Sequence, residues 1–294
     1  MEQKLKVFLT VANHLNFSRA AEELYITQPA VSQYVKALED ELQIKLIERT
    51  NKTVRLTKAG SIVAFYSEEI EMLYQKMHQA IEDLTSEVAG DLSIGASYSF
   101  GEYILPHILA PFLATFPKVK PNISIGNTHD IVEKLMKHEI DLGIVEGSVS
   151  QSKVKLEKIA TDTMYIIGGK GWKNQTDAET LEEEAWIVRE KGSGTREAVE
   201  LFFEKYNLKP KKLLEFGSTQ IIKESVEAGL GISLLSKWTV RKEVELNRLQ
   251  MIGKEQYYYN RDFFAVTSNY PFTTKAITTF LQFLRTFFEK TDQE

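Results

Sequence analysis

ITQPAVSQYVKALEDEL, at residues 26–42, is the stretch that decides the fold of the N-terminal part of this 294-residue sequence. Its apolar residues recur at helical spacing and fall on one side: Val31, Val35, Leu38 and Leu42. The opposite side begins with polar side chains, which form hydrogen bonds well but do not fill a core. We therefore predict a helix from Gln28 that packs through one face and offers its other face to a partner.

Two shorter helices are predicted before this one, over residues 3–13 and over RAAEELY at 19–25. Ser18 is the expected N-cap of the second helix, and Thr27 is the expected N-cap of the third. Pro29 then falls in the first turn of the third helix, where its missing N–H costs little. Two short helices joined by a tight turn, the second with a polar free face, form a helix-turn-helix.

The polar face of the third helix carries side chains that can read base edges in the major groove of DNA. Glutamine bonds bidentately to adenine, and serine bonds to base edges or phosphates. These side chains cluster at the N-terminal end of the helix, which enters the groove in helix-turn-helix proteins. For any one element taken alone, an ordinary solvated face is the alternative. The predicted DNA-binding residues here are Ser18, Thr27, Gln28, Pro29, Ser32, Gln33 and, for a phosphate, Lys36.

A basic hairpin, or wing, is predicted after the third helix. Residues 46–49 and 53–56 could pair as short strands across the turn Asn51-Lys52. Basic side chains on this hairpin would project toward the DNA backbone or the minor groove. The predicted contact residues of the hairpin are Arg49, Lys52 and Arg55.

The distribution of charge supports a nucleic-acid partner, although the net charge of the whole chain is −5. Residues 1–60 hold nine Lys and Arg against seven Asp and Glu, which is +2, so the rest of the chain carries −7. A local basic patch decides phosphate binding more than the sum over the whole chain does.

A long helix is predicted next, capped by Thr57 and running to about Ser86. Apolar residues recur along it with the 3-4 spacing of a heptad seam: Val63, Tyr66, Ile70, Leu73, Met77, Ala80 and Leu84. Packing on the protein's own core is the alternative, but no nearby segment has a matching apolar stripe. We therefore favour self-pairing, which would let two recognition helices occupy successive half-sites on DNA.

From Asp91 onward, strands and helices alternate, which predicts an α/β fold with largely parallel sheets. About 200 residues is large for one sheet, so two lobes with a cleft between them are expected. The predicted strands cover 92–97, 123–127, 141–147, 164–169, 185–190, 213–218, 231–236 and 262–268. The predicted helices cover 103–116, 130–139, 195–206, 219–227 and 273–290.

Ligands of open α/β sheets bind beyond the carboxyl ends of strands, near helix N-termini. Backbone N–H groups, hydroxyls and an arginine in such places suit a small anion or carboxylate. Ordinary turn and capping residues are the alternative for each position taken singly. The residues nominated by this rule are Ser97, Ser99, Thr128, Glu146, Gly147, Ser148, Ser193, Gly194, Thr195, Arg196, Thr219 and Gln220.

Several classes of protein are poorly supported by the composition. There are no cysteines, which excludes disulfides and thiolate chemistry, and the five histidines lack metal-ligand spacing, so no metal or other cofactor is expected. His129-Asp130 could serve Ser193, but no nucleophile elbow frames that serine, so an enzyme is not expected. The N-terminus lacks a secretory signal, and no stretch approaches the roughly 18 apolar residues of a membrane helix, which favours a cytoplasmic protein.

The N-terminal sequence resembles the signature of the LysR-type transcriptional regulators. The resemblance is carried by FSRAA (17–21), TQPAVSQ (27–33), LE (38–39), LIER (46–49) and LTKAG (56–60), with Leu24 and Leu42 between them. Small departures occur at Gln43-Ile44, where the family usually has Leu-Gly, and at Ile47, where Phe is common. Both departures conserve packing.

The resemblance implies a winged helix-turn-helix DNA-binding domain over residues 1–58 and a dimerising linker helix over 59–89. It also implies a periplasmic-binding-protein-like effector-binding domain over 90–294. The first lobe would cover about 91–164 and 266–294, and the second lobe about 165–265.

EKGSGTRE, at residues 190–197, is a glycine-rich turn that opens a helix and could cradle phosphate, yet it is neither a Walker loop nor a GxSxG motif. It resembles the version found in LysR members that regulate sulfur assimilation and carbon fixation. That resemblance implies an oxyanion or a phosphorylated metabolite as the effector.

We therefore expect a homo-oligomeric transcriptional regulator that binds double-stranded promoter DNA and responds to a small anionic effector. The resemblance implies a homodimer, commonly a homotetramer in this family, and RNA polymerase stays open as a further partner. The alternative is a solute-binding protein of the same α/β type, which would need an export signal and would not need residues 1–60.

Overall fold

The computed structural model describes residues 3–49, 53–82, 87–147, 149, 154–172, 176–269 and 273–291. The chain divides into two compact units, Met1–Thr85 and Ser86–Glu294. Lys52, Leu84 and Ser148, together with the predicted turn Asn51-Lys52, lie outside the described residues. Among the described residues, no helix is both long and apolar enough to cross a membrane.

The first unit is a winged helix-turn-helix followed by a long helix. Its elements are α1 Gln3–His14, α2 Phe17–Glu23, α3 Gln28–Leu42, β1 Ile47–Arg49, β2 Val54–Leu56 and α4 Lys58–Glu82. Strands β1 and β2 pair antiparallel, which confirms the predicted hairpin. Val31, Val35 and Leu38 of α3 are buried in a core with Phe8 and Ala20, so most of the predicted apolar face packs as expected.

Two details of this unit differ from the sequence expectation. Leu42 is exposed, because it is the last residue of α3 and Gln43 then turns the chain in a left-handed conformation. Ser18 is not the N-cap of α2, because that helix begins at Phe17. The cap is Asn16, whose side-chain oxygen accepts from the backbone N–H of Ser18 and of Arg19. The predicted cap at Thr27 is confirmed, since its hydroxyl accepts from the Ala30 N–H.

The start of α4 is fastened to the segment that precedes the wing. The Thr57 hydroxyl donates to the Lys45 carbonyl at 2.7 Å and accepts from the Gly60 N–H at 2.9 Å. A Cβ at Gly60 would lie 2.0 Å from the Leu46 carbonyl oxygen, so only glycine allows this approach. Along α4, four of the six described seam residues are exposed, whereas Val63 and Ala80 are half-buried and Val63 packs against the core of this unit. The exposed residues are Tyr66, Ile70, Leu73 and Met77.

The second unit alternates strands and helices and carries two lobes. Its first part contains β3 Gly90–Ser97, α5 Tyr98–Tyr103, α6 Leu105–Thr115, β4 Val119–Gly126, α7 Thr128–Met136 and β5 Leu142–Glu146. It continues with β6 Val154–Gly169, α8 Ala178–Glu183, β7 Ala185–Arg189, α9 Gly194–Tyr206, β8 Lys212–Phe216, α10 Thr219–Glu227, β9 Ser233–Ser236, α11 Lys237–Glu245 and β10 Leu249–Ile252. It ends with β11 Tyr258–Ser268 and α12 Lys275–Thr291.

The sheets are mixed, so the prediction of largely parallel sheets is wrong. Strand β3 pairs in parallel with β4 and β5, and β7 pairs in parallel with β8. By contrast, β11 runs antiparallel to β5 and β6, while β6 runs antiparallel to β9 and β10. The cause is the pair of long strands β6 and β11, which run antiparallel to each other along their length. Parallel neighbours would need a crossover connection, usually a helix, between consecutive strands.

The long strands β6 and β11 pass through more than one hydrophobic core of this unit. One core contains Ile159 and Phe263, together with Leu92 and Phe280, whereas another contains Met164, a few residues further along β6. Each long strand therefore contributes to both lobes. Phe263 and Ala265, which the sequence-based boundary assigns to the second lobe, pack in the first core.

The predicted helix over 103–116 corresponds to α6, whereas the short helix α5 that precedes it was not predicted. Ile104 stands between the two helices, as the C-cap of α5 and the N-cap of α6, at φ −113° and ψ −50°. Pro106 explains the break, because it lies in the first turn of α6 and has no N–H to continue the hydrogen bonds of α5. Helices α8 and α11 and strand β10 were not predicted.

Candidate functional sites

The polar face of α3 is exposed, and its side chains contact a residue of the wing. The Gln28 side-chain amide donates to the Ser32 hydroxyl at 2.8 Å. Both terminal nitrogens of Arg49 also approach that hydroxyl, at 3.3 and 3.4 Å. The structure therefore brings together two predicted base-reading residues of α3 and one predicted wing residue. We call the surface formed by Gln28, Ser32, Gln33 and Arg49 the reading face.

Arg49 is held in place by an aromatic side chain that sequence reasoning did not nominate. Its guanidinium carbon lies 3.1 Å from the centre of the Phe17 ring, which is a close cation–π stack. Burial lowers the pKa of Arg49, while the charge of Glu39 raises it, and an arginine stays charged throughout the physiological range. A guanidinium that is already ordered loses less conformational entropy when it binds a partner.

The remaining predicted DNA-binding residues of the described chain surround the reading face or lie on the wing. Thr27, Pro29 and Lys36 are exposed on α3 or at its cap, and Ser18 is exposed on α2. Arg55 is exposed on β2, opposite Glu48 of β1 in the hairpin register.

Glu39 fixes the wing to the recognition helix, and sequence reasoning missed this role. It is buried on α3, and its Oε1 accepts from the backbone N–H of Leu46 at 2.9 Å and of Ile47 at 3.2 Å. Its other oxygen accepts from Lys45 Nζ at 2.7 Å. Burial raises the pKa of Glu39, but the hydrogen bonds from Lys45 and the two backbone groups outweigh it and hold the pKa below its ordinary value.

Replacing Glu39 with glutamine should destabilise the first unit by about 1–3 kcal/mol at neutral pH, because a charge-assisted acceptor of buried N–H groups is lost. Since the pKa of Glu39 is lower when folded, its stabilisation is present above the unfolded pKa and is lost as the pH falls through the folded value. Hydrogen exchange of amides in 3–49, followed in the full chain at several pH values, checks both effects. Glu41→Gln is the matched control, because Glu41 forms an exposed pair with Lys4.

In the second unit, the predicted strand-end residues converge on one buried carboxylate. Glu146 ends β5 and accepts from the hydroxyl of Ser97, which ends β3. Its Oε1 also accepts from Ser99 at 3.1 Å and from Thr195, in the first turn of α9, at 3.2 Å. All four side chains are buried.

Arg261 completes this group, although no strand-end rule pointed to it. It is buried on β11, and its Nη1 donates to the Thr195 hydroxyl at 2.9 Å and lies 3.2 Å from Glu146 Oε1. We call Ser97, Ser99, Glu146, Thr195 and Arg261 the Glu146 cluster. Arg261 was missed because it projects from inside a long strand. The available signal was a charged residue beside an apolar run, a pattern that usually marks a buried, paired charge.

Asp162 pairs with Arg261 from the neighbouring strand β6. Arg261 Nε donates to Asp162 Oδ2 at 2.9 Å, and the Ser236 hydroxyl donates to Asp162 Oδ1 at 2.7 Å. Burial raises the pKa of Asp162, and the charge of Glu146 adds to this, whereas Arg261 and the hydrogen bond from Ser236 lower it. Two carboxylates thus share one guanidinium in a buried site.

The backbone of α9 approaches β5 closely at this cluster. A Cβ at Gly194 would lie 2.1 Å from the Glu146 carbonyl oxygen, far inside van der Waals contact. Thr128, at the start of α7, donates to that same carbonyl at 3.0 Å, and the Ser193 hydroxyl accepts from the Thr195 N–H at 3.2 Å. Gly147 follows Glu146 directly.

Thr219 and Gln220 form a second polar group, at the start of α10. The buried Arg189 donates to the Thr219 hydroxyl at 3.4 Å, and the Tyr103 hydroxyl donates to Gln220 Oε1 at 3.1 Å. Arg196 contacts only the backbone of this second group, since its Nη1 donates to the Arg189 carbonyl at 3.0 Å. Its side chain is engaged with Glu200 at 2.7 Å and with Glu215 at 3.0 Å, on its own helix and on β8.

Comparison with known proteins gives two family matches that together span most of the chain. Residues 3–61 match the bacterial regulatory helix-turn-helix protein, lysR family, and residues 85–289 match the LysR substrate binding domain.

Individual relatives agree with this match. The HTH-type transcriptional regulator CysL of Bacillus subtilis is 35% identical over 82% of this chain and 82% of its own. The RuBisCO operon transcriptional regulator of Acidithiobacillus ferrooxidans is 32% identical over 90% of this chain and 86% of its own. The regulatory domain of Synechocystis CcmR, solved in complex with 2-PG, superposes with a TM-score of 0.61 at 25% identity, covering 68% of this chain and 98% of that one.

These findings confirm the predicted resemblance to sulfur-assimilation and carbon-fixation regulators. They give no support to a solute-binding protein without DNA function, and the relatives are regulators and not enzymes. The helix-turn-helix unit, the two-lobed α/β unit and both family matches lead to one conclusion. The chain belongs to the LysR family, as a DNA-binding transcriptional regulator with an effector-binding domain.

Proposed function

We propose that this regulator reads its promoter through the reading face and takes a small anion at the Glu146 cluster. The observation that carries the DNA assignment is that Gln28 and Arg49 both contact the Ser32 hydroxyl, which groups an amide, a hydroxyl and a guanidinium on one surface. An amide is suited to adenine and a guanidinium to guanine or phosphate. Lys36, Arg55 and the predicted Lys52 would contact phosphates and fix the position of the unit on the duplex.

Replacing Gln28 and Ser32 together with alanine should weaken specific promoter binding by about 1–3 kcal/mol per lost base contact and leave non-specific binding nearly unchanged. Arg55→Ala should instead weaken specific and non-specific DNA alike and lower the slope of log K against log salt by about one. Gel retardation at several salt concentrations, with promoter and scrambled duplexes, separates the two effects. Unchanged specific binding by the double variant at physiological salt would remove the base-reading role.

The effector assignment is supported by the chemistry of the second unit. Three hydroxyls and one guanidinium converge where β3 and β5 end and the 13-residue helix α9 begins, as an oxyanion site requires. The CcmR regulatory domain, similar to this chain over its second unit, was solved with 2-PG. We therefore infer a small anionic effector, such as an oxyanion or a phosphorylated metabolite.

A thermal-shift screen of the full chain with sulfate, phosphate and 2-PG tests this class of ligand. A ligand present at 100 times its Kd should stabilise the folded state by about 2.7 kcal/mol, which raises the melting temperature measurably. Thr195→Val should abolish that shift, since it removes a hydroxyl of the cluster. Thr286→Val is the matched control, because that exposed hydroxyl bonds only within α12. A shift that survives Thr195→Val places the ligand elsewhere.

The exposed seam of α4 supports self-pairing between copies of this chain. Four seam residues of this helix are each 42–57% accessible to solvent and form an apolar surface that a second copy would cover: Tyr66, Ile70, Leu73 and Met77. Sedimentation should show that Leu73→Glu weakens this association.

We propose that the regulator acts in the cytoplasm, where promoter DNA is accessible.

A further inference from the structure

The carboxylate of Glu146 occupies the position that an anion would take in its own cluster. It accepts hydrogen bonds from Ser97, Ser99 and Thr195 and pairs with Arg261 at 3.2 Å. These donors come from four different elements, β3, α5, α9 and β11, and only about 1% of Glu146 is accessible to solvent. The described chain therefore satisfies its candidate anion site with a carboxylate of its own.

An external anion and the Glu146 carboxylate cannot share these donors. Each hydroxyl has a single proton to donate, so a hydroxyl that bonds to Glu146 is not a donor for a ligand at the same time. Two negative charges a few ångströms apart in a buried site also repel each other strongly. Asp162, on the other side of Arg261, already adds a second carboxylate to the site.

Arg261 retains an unused donor inside this buried site. Its Nη2 is inaccessible to solvent and has no hydrogen-bond partner among the described residues, whereas Nε and Nη1 are both engaged. Buried donors are nearly always paired, so one without a partner points to a missing acceptor. A tetrahedral oxyanion could accept from Nη1 and Nη2 together, which a carboxylate bound only at Nη1 does not do.

We propose that Glu146 is an internal ligand, which an anionic effector displaces from the cluster when it binds. The proposal rests on the effector site inferred above. Glu146 belongs to β5, and Thr195 belongs to α9, so the internal ligand joins a strand of the first lobe to a helix of the second. When a free anion replaces the Glu146 carboxylate, the contact between Glu146 and Thr195 is lost. The anion would then bind one arrangement of the two lobes more tightly than the other, and this difference in affinity shifts the conformational equilibrium.

Removing the charge of Glu146 should therefore tighten the binding of anions. In calorimetric titrations of the full chain with sulfate, phosphate and 2-PG, Glu146→Gln and Glu146→Ala should each lower the Kd at least tenfold for the anion that the wild type binds. Glu157→Gln is the matched control and should leave the Kd unchanged, because Glu157 pairs with Arg285 on the surface. Circular dichroism and a cooperative melt establish that each variant is folded.

The outcomes separate this proposal from the effector assignment beneath it. Folded Glu146 variants that bind the anion no more tightly than the wild type overturn the internal-ligand role, while the effector site stands. If the wild type and all variants bind none of the three anions, the anionic class of effector fails and the proposal fails with it.

A measurement on the wild type keeps the test independent of how well the variants fold. Carbodiimide labelling, read by mass spectrometry, should leave Glu146 unmodified in the free protein, because the side chain is buried. At saturating anion, Glu146 should become labelled as it leaves the cluster, whereas the partly exposed Glu157 should be labelled equally in both states. Protection of Glu146 both with and without a bound anion would contradict its displacement.

Discussion

Alanine at Gly194 should destabilise the effector-binding unit by about 3 kcal/mol, at the upper end of the usual cost of overpacking. The added Cβ would lie 2.1 Å from the Glu146 carbonyl oxygen and 2.6 Å from the Glu146 Cγ. The carbonyl belongs to β5, which is hydrogen-bonded between β11 and β3 and therefore cannot easily shift. The start of α9 must then move away from β5, which breaks the bond between Thr195 and Glu146. We therefore expect anion binding to weaken together with stability.

Urea denaturation followed by tryptophan fluorescence measures this effect in the full chain. The three tryptophans, Trp172, Trp186 and Trp238, all lie in the second unit and report on it alone. Gly217→Ala is the matched control, because a Cβ there would meet no atom within 4 Å, and its stability should change by less than about 1 kcal/mol. An equally small change for Gly194→Ala would show that α9 and β5 are not in close contact.

Arg261→Leu should lower the free energy of unfolding of the second unit by about 3–5 kcal/mol, the usual penalty for removing one partner of a buried ion pair. The substitution leaves the carboxylates of Glu146 and Asp162 buried without their shared cation. Arg285→Leu is the control, because its bidentate pair with Glu157 is partly open to solvent and should contribute about 1 kcal/mol. The same fluorescence assay compares the two variants, and equal losses would contradict the central role of Arg261.

The loss caused by Arg261→Leu should depend on pH. Burial already raises the pKa of Asp162, and removing the neighbouring guanidinium raises it further. A carboxyl whose pKa is higher when folded stabilises the protein below its unfolded pKa, and this contribution is lost as the pH rises through the folded value. The difference in stability between variant and wild type should therefore be smaller at pH 5 than at pH 8.

The helix-turn-helix could be predicted almost completely because its signals are local. The polar cap at Thr27, the proline that follows it and the apolar spacing of Val31, Val35 and Leu38 all act within a few turns of one helix. The error at the N-cap of α2 also has a local cause. Asn16 competes with Ser18 for the same cap, and both residue types are good caps, so the sequence alone does not decide between them.

The effector-binding unit was predicted well where strand ends matter and poorly where long-range pairing matters. Ser97, Ser99, Glu146 and Thr195 follow from one rule about the carboxyl ends of strands, and the structure brings them into contact. The same rule nominates Arg196, but its side chain pairs with Glu200 and Glu215 and not with the Glu146 cluster. The rule locates residues at an edge of a sheet and does not determine where a long side chain points.

By itself, the sequence determined the class of each unit, the candidate DNA-reading face and the expectation of a polar site in the second unit, because periodicity and caps act over short distances. Only the tertiary structure showed that Arg261 and Asp162 lie beside that site, since β6 and β11 bring together residues 99 positions apart. It also showed that Glu146 occupies the donors that a ligand would need. Pairing between distant strands is set by the packing of the whole unit, and no local pattern encodes it.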